Sequence, residues 1–192
     1  MNPSMKYQII YLNGPSSSGK STLAQALQDA LDNPFLHIGI DKIIGLMPEK
    51  LNNWAGGIAP LGFSWKASID SEGHPIQELQ VGPFARKMSD TFVELVVHLA
   101  QMGHCLIIDD VALTNEELTT WKKRLQNFQV LYVGVKAPLA ILEQREHLRG
   151  NRITGSARAQ FHKLQYGTDY NLIVDTSQMT LEQCIEKISN YR

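Results

Sequence analysis

Residues Gly14 to Ser21 read GPSSSGKS and match the spacing GxxxxGK[ST]. The chemistry open to such an octet is the gripping of phosphate. Its glycines let the backbone curl until successive N–H groups point inward, and a helix that follows adds partial positive charge at its N-terminus. Lys20 would reach the terminal phosphates of a nucleotide, and the Ser21 hydroxyl would serve Mg²⁺. Asp109 and Asp110 close the apolar run Cys105 to Ile108, and a carboxylate at the carboxyl edge of a strand can hold Mg²⁺ directly or through water. Asp109, first after the run, is the better metal candidate. Asp41 follows Ile40 in the same way. It could accept the proton of a hydroxyl attacking a γ-phosphate, or cap the helix that Lys42-Ile43-Ile44 starts, and the local sequence leaves both open. Arg145, Arg149 and Arg152 are spaced by four and three, on one face of a helix and its exit. They make either a guanidinium clamp for a transferring phosphoryl group, on a lid hinged at Gly150 and Gly155, or a solvated face partnered by Glu143 and Glu146.

These residues need elements to position them. Tyr7 to Leu12, Phe35 to Ile40, Cys105 to Ile108, Val130 to Val135 and Leu172 to Val174 are short, continuously apolar runs, as expected of strands buried on both faces. Helical patterns lie between them at Ser21 to Leu31, Pro83 to Met102, Asn115 to Asn127, Pro138 to Arg149 and Leu181 to Tyr191. The alternation predicts an α/β fold with a parallel sheet flanked by helices. GPSSSGKS then falls between a strand and a helix, where a P-loop belongs. Leu51 to Gly82 breaks the rhythm, being rich in Gly, Pro and aromatics, and reads as an insertion over the active-site end. Asp175, after the last strand, could hold an adenine-side loop or make a strand-end turn.

The chain has 192 residues, 43% of them hydrophobic, which suits one domain with a proper core. Eighteen basic against nineteen acidic residues leave a formal net charge of −1 with no long basic run, so nucleic-acid binding gets no electrostatic support and a small-molecule partner is expected. Cys105 and Cys184 are far apart, and Cys105 reads as a buried thiol in a strand; neither a disulfide nor a zinc site is indicated. His98 and His104 read as structural, and no histidine pair has metal spacing. No leader is seen at the N-terminus, and no segment approaches the roughly 20 apolar residues needed to cross a bilayer. A reducing cytoplasm is the expected location.

The order GPSSSGKS, IGID (38–41), MP (47–48), GG (56–57), GP (82–83), IIDDV (107–111), VGV (133–135), RExxRGxR (145–152) and VDT (174–176) resembles the chloramphenicol phosphotransferase family over nearly the whole chain. The resemblance implies a P-loop kinase fold over residues 1–192, with a substrate-side insertion at 51–82 and a lid near 145–160. It implies ATP and Mg²⁺, and transfer of the γ-phosphate to a hydroxyl of chloramphenicol or a related small molecule. It places ATP on Gly14, Pro15, Ser16, Ser17, Ser18, Gly19, Lys20, Ser21 and Thr22, matches Asp41 to the catalytic base, and matches Arg149 and Arg152 to lid arginines, with Arg145 a third. The chain differs from the family at Pro15 and Ser18, where members often carry Gly and Ala, and at Gln165, where a histidine is expected. The insertion adds Trp54, Phe63 and Trp65 and a hairpin-like stretch, Lys66 to Pro75, from which substrate contacts should come. A metabolite or nucleotide kinase, a regulatory NTPase, and a toxin-like kinase of sugar nucleotides share the same donor half.

Overall fold

The structure is a computed structural model, and it describes residues 6–150, 153–164 and 169–192. Arg152 and Gln165 lie outside the described residues.

Five parallel strands form the central sheet: β1 (Ile9–Asn13), β2 (Phe35–Gly39), β5 (Cys105–Asp110), β6 (Val130–Lys136) and β7 (Leu172–Asp175), in the spatial order β2-β5-β1-β6-β7. Every residue of β1 is buried, and its alternate side chains feed two cores. Ile10 and Leu12 pack with Leu23, Ala24 and Leu27 of α1 (Lys20–Ala30) and with Cys184 and Ile188 of α7 (Leu181–Ser189). Ile9 and Tyr11 pack on the other face with Phe92 and Val96 of α3 (Pro83–Gln101) and with Leu118 and Trp121 of α4 (Asn115–Arg124). The continuous hydrophobicity of the strands follows from this two-sided burial.

Helices α4 and α7 start where the sequence makes them start. Thr114 and Thr180 each accept from the backbone N–H three residues on, while Glu117 and Gln183 reach back to the cap, giving two reciprocal capping boxes. Each box satisfies two N–H groups that the first turn leaves without a partner inside the helix.

Between β2 and α3 the insertion is ordered, and the stretch read as hairpin-like, Lys66 to Pro75, lies in a hairpin. A five-residue helix, α2 (Ile40–Ile44), and a 3₁₀ turn, Glu49–Leu51, lead into an antiparallel hairpin of β3 (Phe63–Ile69) and β4 (Pro75–Val81), a two-stranded sheet of its own. Phe63 anchors it against Met47 and Ala85. An unexpected element, α6 (Ser156–Lys163), follows α5 (Leu139–Arg149), the two packing through Leu142 and Ala157. Glu146 corrects the reading of Glu143 and Glu146 as surface partners of the arginines. It is only 2% exposed and accepts from Gly155 N, Ser156 Oγ and Ala157 N at 2.8, 2.5 and 2.8 Å, holding the start of α6 from the preceding helix. Cys105, the first residue of β5 and paired with Phe35 of β2, is half-buried instead of buried, and Cys184 is the buried thiol. Among the described residues no helix is long and apolar enough to cross a membrane.

Candidate active site

The octet forms the turn between β1 and α1. A Cβ at Gly14 would stand 2.2 Å from the Val135 carbonyl oxygen of β6, so only glycine lets the loop leave the sheet this closely. Ser17 (φ 66°) and Gly19 (φ 92°) take the left-handed conformation, and Gly19 opens α1 with no side-chain cap. The first N–H groups of α1 are therefore presented at the loop, the arrangement that receives an anion. Ser17 Oγ and Ser18 Oγ are buried there without a hydrogen-bond partner, as polar atoms are when a ligand completes them.

Lys20 is nearly buried, and its Nζ spans the loop to donate to Gly14 O and Pro15 O at 2.9 and 3.0 Å. Burial pushes its pKa down, while Asp109, Asp110 and Asp41 pull it up and Arg149 pushes it down again. Five charges from four elements thus act on one another around the loop. Asp109 arrives from β5, whose register sets it beside Leu12, and its Oδ2 accepts from Ser21 Oγ at 2.5 Å. Burial raises the Asp109 carboxyl, but His37, Lys20 and Ser21 together hold it below its ordinary value.

The neighbouring Asp110 faces the other way, accepting at Oδ2 from Tyr11 Oη at 2.9 Å and Trp121 Nε1 at 2.6 Å, and burial raises its pKa. Adjacent residues of a strand point to opposite faces, so one carboxylate meets the loop and the other enters the core. Asp41 sits in the first turn of α2, whose N-cap is Gly39 with no side-chain cap bond, so Asp41 is not the cap of that helix.

Arg145 ties three segments. It donates to Thr176 Oγ1 and O, both at 2.9 Å, and to Ser17 O at 3.4 Å, while Thr176 Oγ1 donates to Ser18 O at 2.9 Å. Beside it opens a cavity of about 380 Å³ lined by Gly19, Thr22, Arg145, Arg149 and Met179 among others. Asp175 makes a strand-end turn, its Oδ1 accepting from Ser177 N at 3.0 Å and Ser177 Oγ at 2.6 Å.

Three participants are not among the candidates the sequence offers. Gln160 of α6 accepts from Ser16 N at 2.6 Å, fastening α6 to the loop. Arg158 donates to Glu143 Oε1 at 2.6 Å and Asp70 Oδ2 at 3.1 Å, fastening α6 to α5 and to the hairpin tip. His37 lies behind Asp109. Asp70, Glu72 and His74 bring three ligand-type atoms together at that tip, but the Arg158 guanidinium stands among them, and the group is an ion-pair cluster.

A parallel sheet with this loop after its central strand and an acid-tipped neighbour defines a P-loop kinase fold, and the protein is a phosphotransferase. The solved structures it resembles share the fold. A sugar kinase from Janibacter sp. HTCC2649 matches with a TM-score of 0.63 at 18% identity, over 98% of this chain and 94% of that one. Shikimate kinase from Acinetobacter baumannii, in complex with shikimate, matches with a TM-score of 0.56 at 17% identity, over 97% and 94%. A Mycobacterium tuberculosis protein named "Putative O-phosphotransferase" is 27% identical over 182 residues, 94% of this chain and 80% of that protein. Residues 7–191 match the family described as chloramphenicol phosphotransferase-like protein, and the chain belongs to that family.

Proposed function

We propose that the protein transfers the γ-phosphate of ATP to a hydroxyl of a small molecule. One observation carries this reading: buried Lys20 spans the loop to Gly14 O and Pro15 O, Ser21 Oγ meets Asp109 Oδ2 at 2.5 Å, and the Ser17 and Ser18 hydroxyls are buried beside them without a partner. The loop residues Gly14 to Ser21 and Thr22 would grip the phosphates, with Arg145 beside the cavity that would take the base. Mg²⁺, held by Ser21 with Asp109 behind it, would neutralise charge on the phosphate oxygens when bound; hydroxyl and carboxylate oxygens are the donors it prefers.

In the transfer, the acceptor oxygen forms a bond to the γ-phosphorus as the bond to the β–γ bridging oxygen breaks, and ADP leaves. Asp41 takes the hydroxyl proton, a base's role. Arg149, with Arg152, would balance the charge that develops on the phosphoryl oxygens, and helices α5 and α6 would act as the lid.

The acceptor side is the hairpin. Trp54 stacks on Phe63 with ring centroids 5.8 Å apart and keeps much of its own surface exposed. Phe63 and Trp65 are buried and pack the hairpin, so of the three aromatics Trp54 is the one offered to a ligand. An acceptor with an aromatic or apolar body fits this surface, and chloramphenicol is the first to try.

The test is incubation with ATP, Mg²⁺ and a panel of hydroxyl-bearing antibiotics and metabolites, read by mass spectrometry for the gain of one phosphoryl group. Release of inorganic phosphate with no phosphorylated acceptor anywhere in the panel would instead make the protein a hydrolase. On the true acceptor, Asp41→Asn should lower kcat by about 100-fold or more, the scale of general-base catalysis, with ATP affinity unchanged. Wild-type turnover in that variant would remove Asp41 from the base's role.

A further inference from the structure

Phosphoryl transfer as described leaves one buried polar group beside the loop unused. His37 lies on β2, two residues before Gly39, whose Cα is paired with that of Asp109 across the sheet. Alternate residues of a strand share a face, so His37 is the diagonal neighbour of Asp109 on the side of α1. Its side chain is 8% exposed, and Nε2 is buried with no hydrogen-bond partner. That nitrogen stands 3.7 Å from Asp109 Oδ2, the same oxygen that accepts from Ser21 Oγ at 2.5 Å. Gly39, directly opposite Asp109, has no side chain to come between them.

A buried imidazole nitrogen without a partner is costly, and a carboxylate oxygen within an ångström of hydrogen-bond reach is the group that relieves it. We propose that His37 is a positioning residue for the cation of the donor site. With its proton on Nε2 and the 3.7 Å gap closed by a small shift of the ring, the imidazole would donate to Asp109 Oδ2, and the carboxylate would be held by two donors, His37 on one side and Ser21 on the other. A Ser21 hydroxyl whose proton is committed to Asp109 has only its lone pairs to offer, and those face the metal. His37 therefore acts through Asp109 and Ser21, as outer partners orient the ligands of metal sites. The inference rests on the reading of Ser21 and Asp109 as the place where metal–nucleotide binds.

The test uses Mn²⁺ as a paramagnetic probe, titrated by electron paramagnetic resonance into the full-length protein with the β,γ-imido analogue of ATP. His37→Phe fills the space without a donor; His37→Gln restores one. Affinity for the analogue in EDTA is measured alongside. His37→Phe should weaken Mn²⁺ binding by about tenfold, the lower end for outer-shell partners, leave metal-free analogue affinity unchanged, and be largely rescued in His37→Gln. Equal Mn²⁺ affinity in His37→Phe and wild type would overturn the proposal. So would a parallel loss of metal-free analogue binding in both variants, which would mark His37 as packing alone. Nitrogen hyperfine coupling from His37 in the wild type would overturn it too, by making the imidazole a direct ligand. Failure of the wild type to hold Mn²⁺ with the analogue would strike the phosphotransferase reading itself, separately from the role of His37.

Discussion

The loop proposed to grip phosphate and the hairpin proposed to flank the acceptor are held in place by different forces. Behind the loop, Ile9, Ile10, Tyr11 and Leu12 have no exposed surface, and Gly14 leaves no room for any side chain against β6. The hairpin has a small apolar anchor of Phe63, Met47 and Ala85, with Trp65 and Ile76 buried along it and Ile69 largely exposed at the end of β3. Its far end is fixed by charge, Arg158 of α6 bridging Asp70 and Glu143, with Lys163 to Glu78 at 3.3 Å and His162 to Asp70 at 3.6 Å alongside. Apolar burial fixes a backbone against any change of occupant; ion pairs near the surface fix a direction at little cost in stability. The donor half is thus built to be one shape, and the acceptor half to be re-aimed without unfolding the sheet.

The sharpest way to break that contrast is Lys20→Ala. Nothing outside the loop can replace an ammonium reaching Gly14 O and Pro15 O, and turnover should fall by about 100- to 1,000-fold, the scale of losing one preorganised donor. Hydrogen exchange in the hairpin should be unaltered. A loss of hairpin protection in this variant would show that the halves are coupled through the loop, by way of Gln160 and Ser16.

Arg158→Ala addresses the other half. It removes the bridge between α5, α6 and the hairpin tip while leaving the loop untouched. The KM for the acceptor should rise by about tenfold, equivalent to roughly 1.4 kcal/mol of lost positioning, with nucleotide affinity unchanged. Steady-state kinetics with each substrate varied in turn would show a loss on the nucleotide side if Arg158 instead held the loop through α6.

How far each half can be read in the sequence follows the same division. The strands and the octet are legible because their determinants are local: continuous apolar runs, and glycine and lysine at fixed intervals. The hairpin is legible only in part: Lys66 to Pro75 reads as hairpin-like, but Phe63 to Ile69 mixes buried aromatics with Lys66 and Ser68 in a strand of which only part meets a core, so the strands themselves are not. Glu146 shares a helix with Arg145 and Arg149 and reads as their surface partner, yet it reaches the backbone of another helix about ten residues on. His37 lies in a strand pattern like any other, and only the pairing of Gly39 with Asp109 brings it to the site. Its one signal in the sequence is a polar residue at a position where β2 should be buried. Asp109 reads as the better metal candidate only from its place after the apolar run, and the strand supplies the physical separation from Asp110 by assigning the two opposite faces.

Acid sharpens the comparison with the smallest effect. The Asp70 carboxyl is pushed up by partial burial, but backbone N–H groups of His74 and Glu72, together with Arg158, take it from its ordinary 3.8 to about 2. A carboxyl with a lower pKa in the folded state stabilises that state fully above about pH 4 and loses the contribution as pH falls toward 2. In that window the hairpin should loosen from α6, seen as a falling protection factor, the exchange rate of the open amide relative to that observed at the same pH, for the Gln77 N–H, which donates to Gly155 O at 3.3 Å. Asp70→Asn should show one lowered protection factor at Gln77 across the window, because it carries no proton to gain. His74, His162 and Glu72 face the same carboxylate. If the wild type and Asp70→Asn lose protection in parallel as pH falls, charge does not hold the hairpin to α6. The close backbone contact of Gly155 with Pro75 and Ile76 would then hold it, and the acceptor half would be as rigidly built as the donor half.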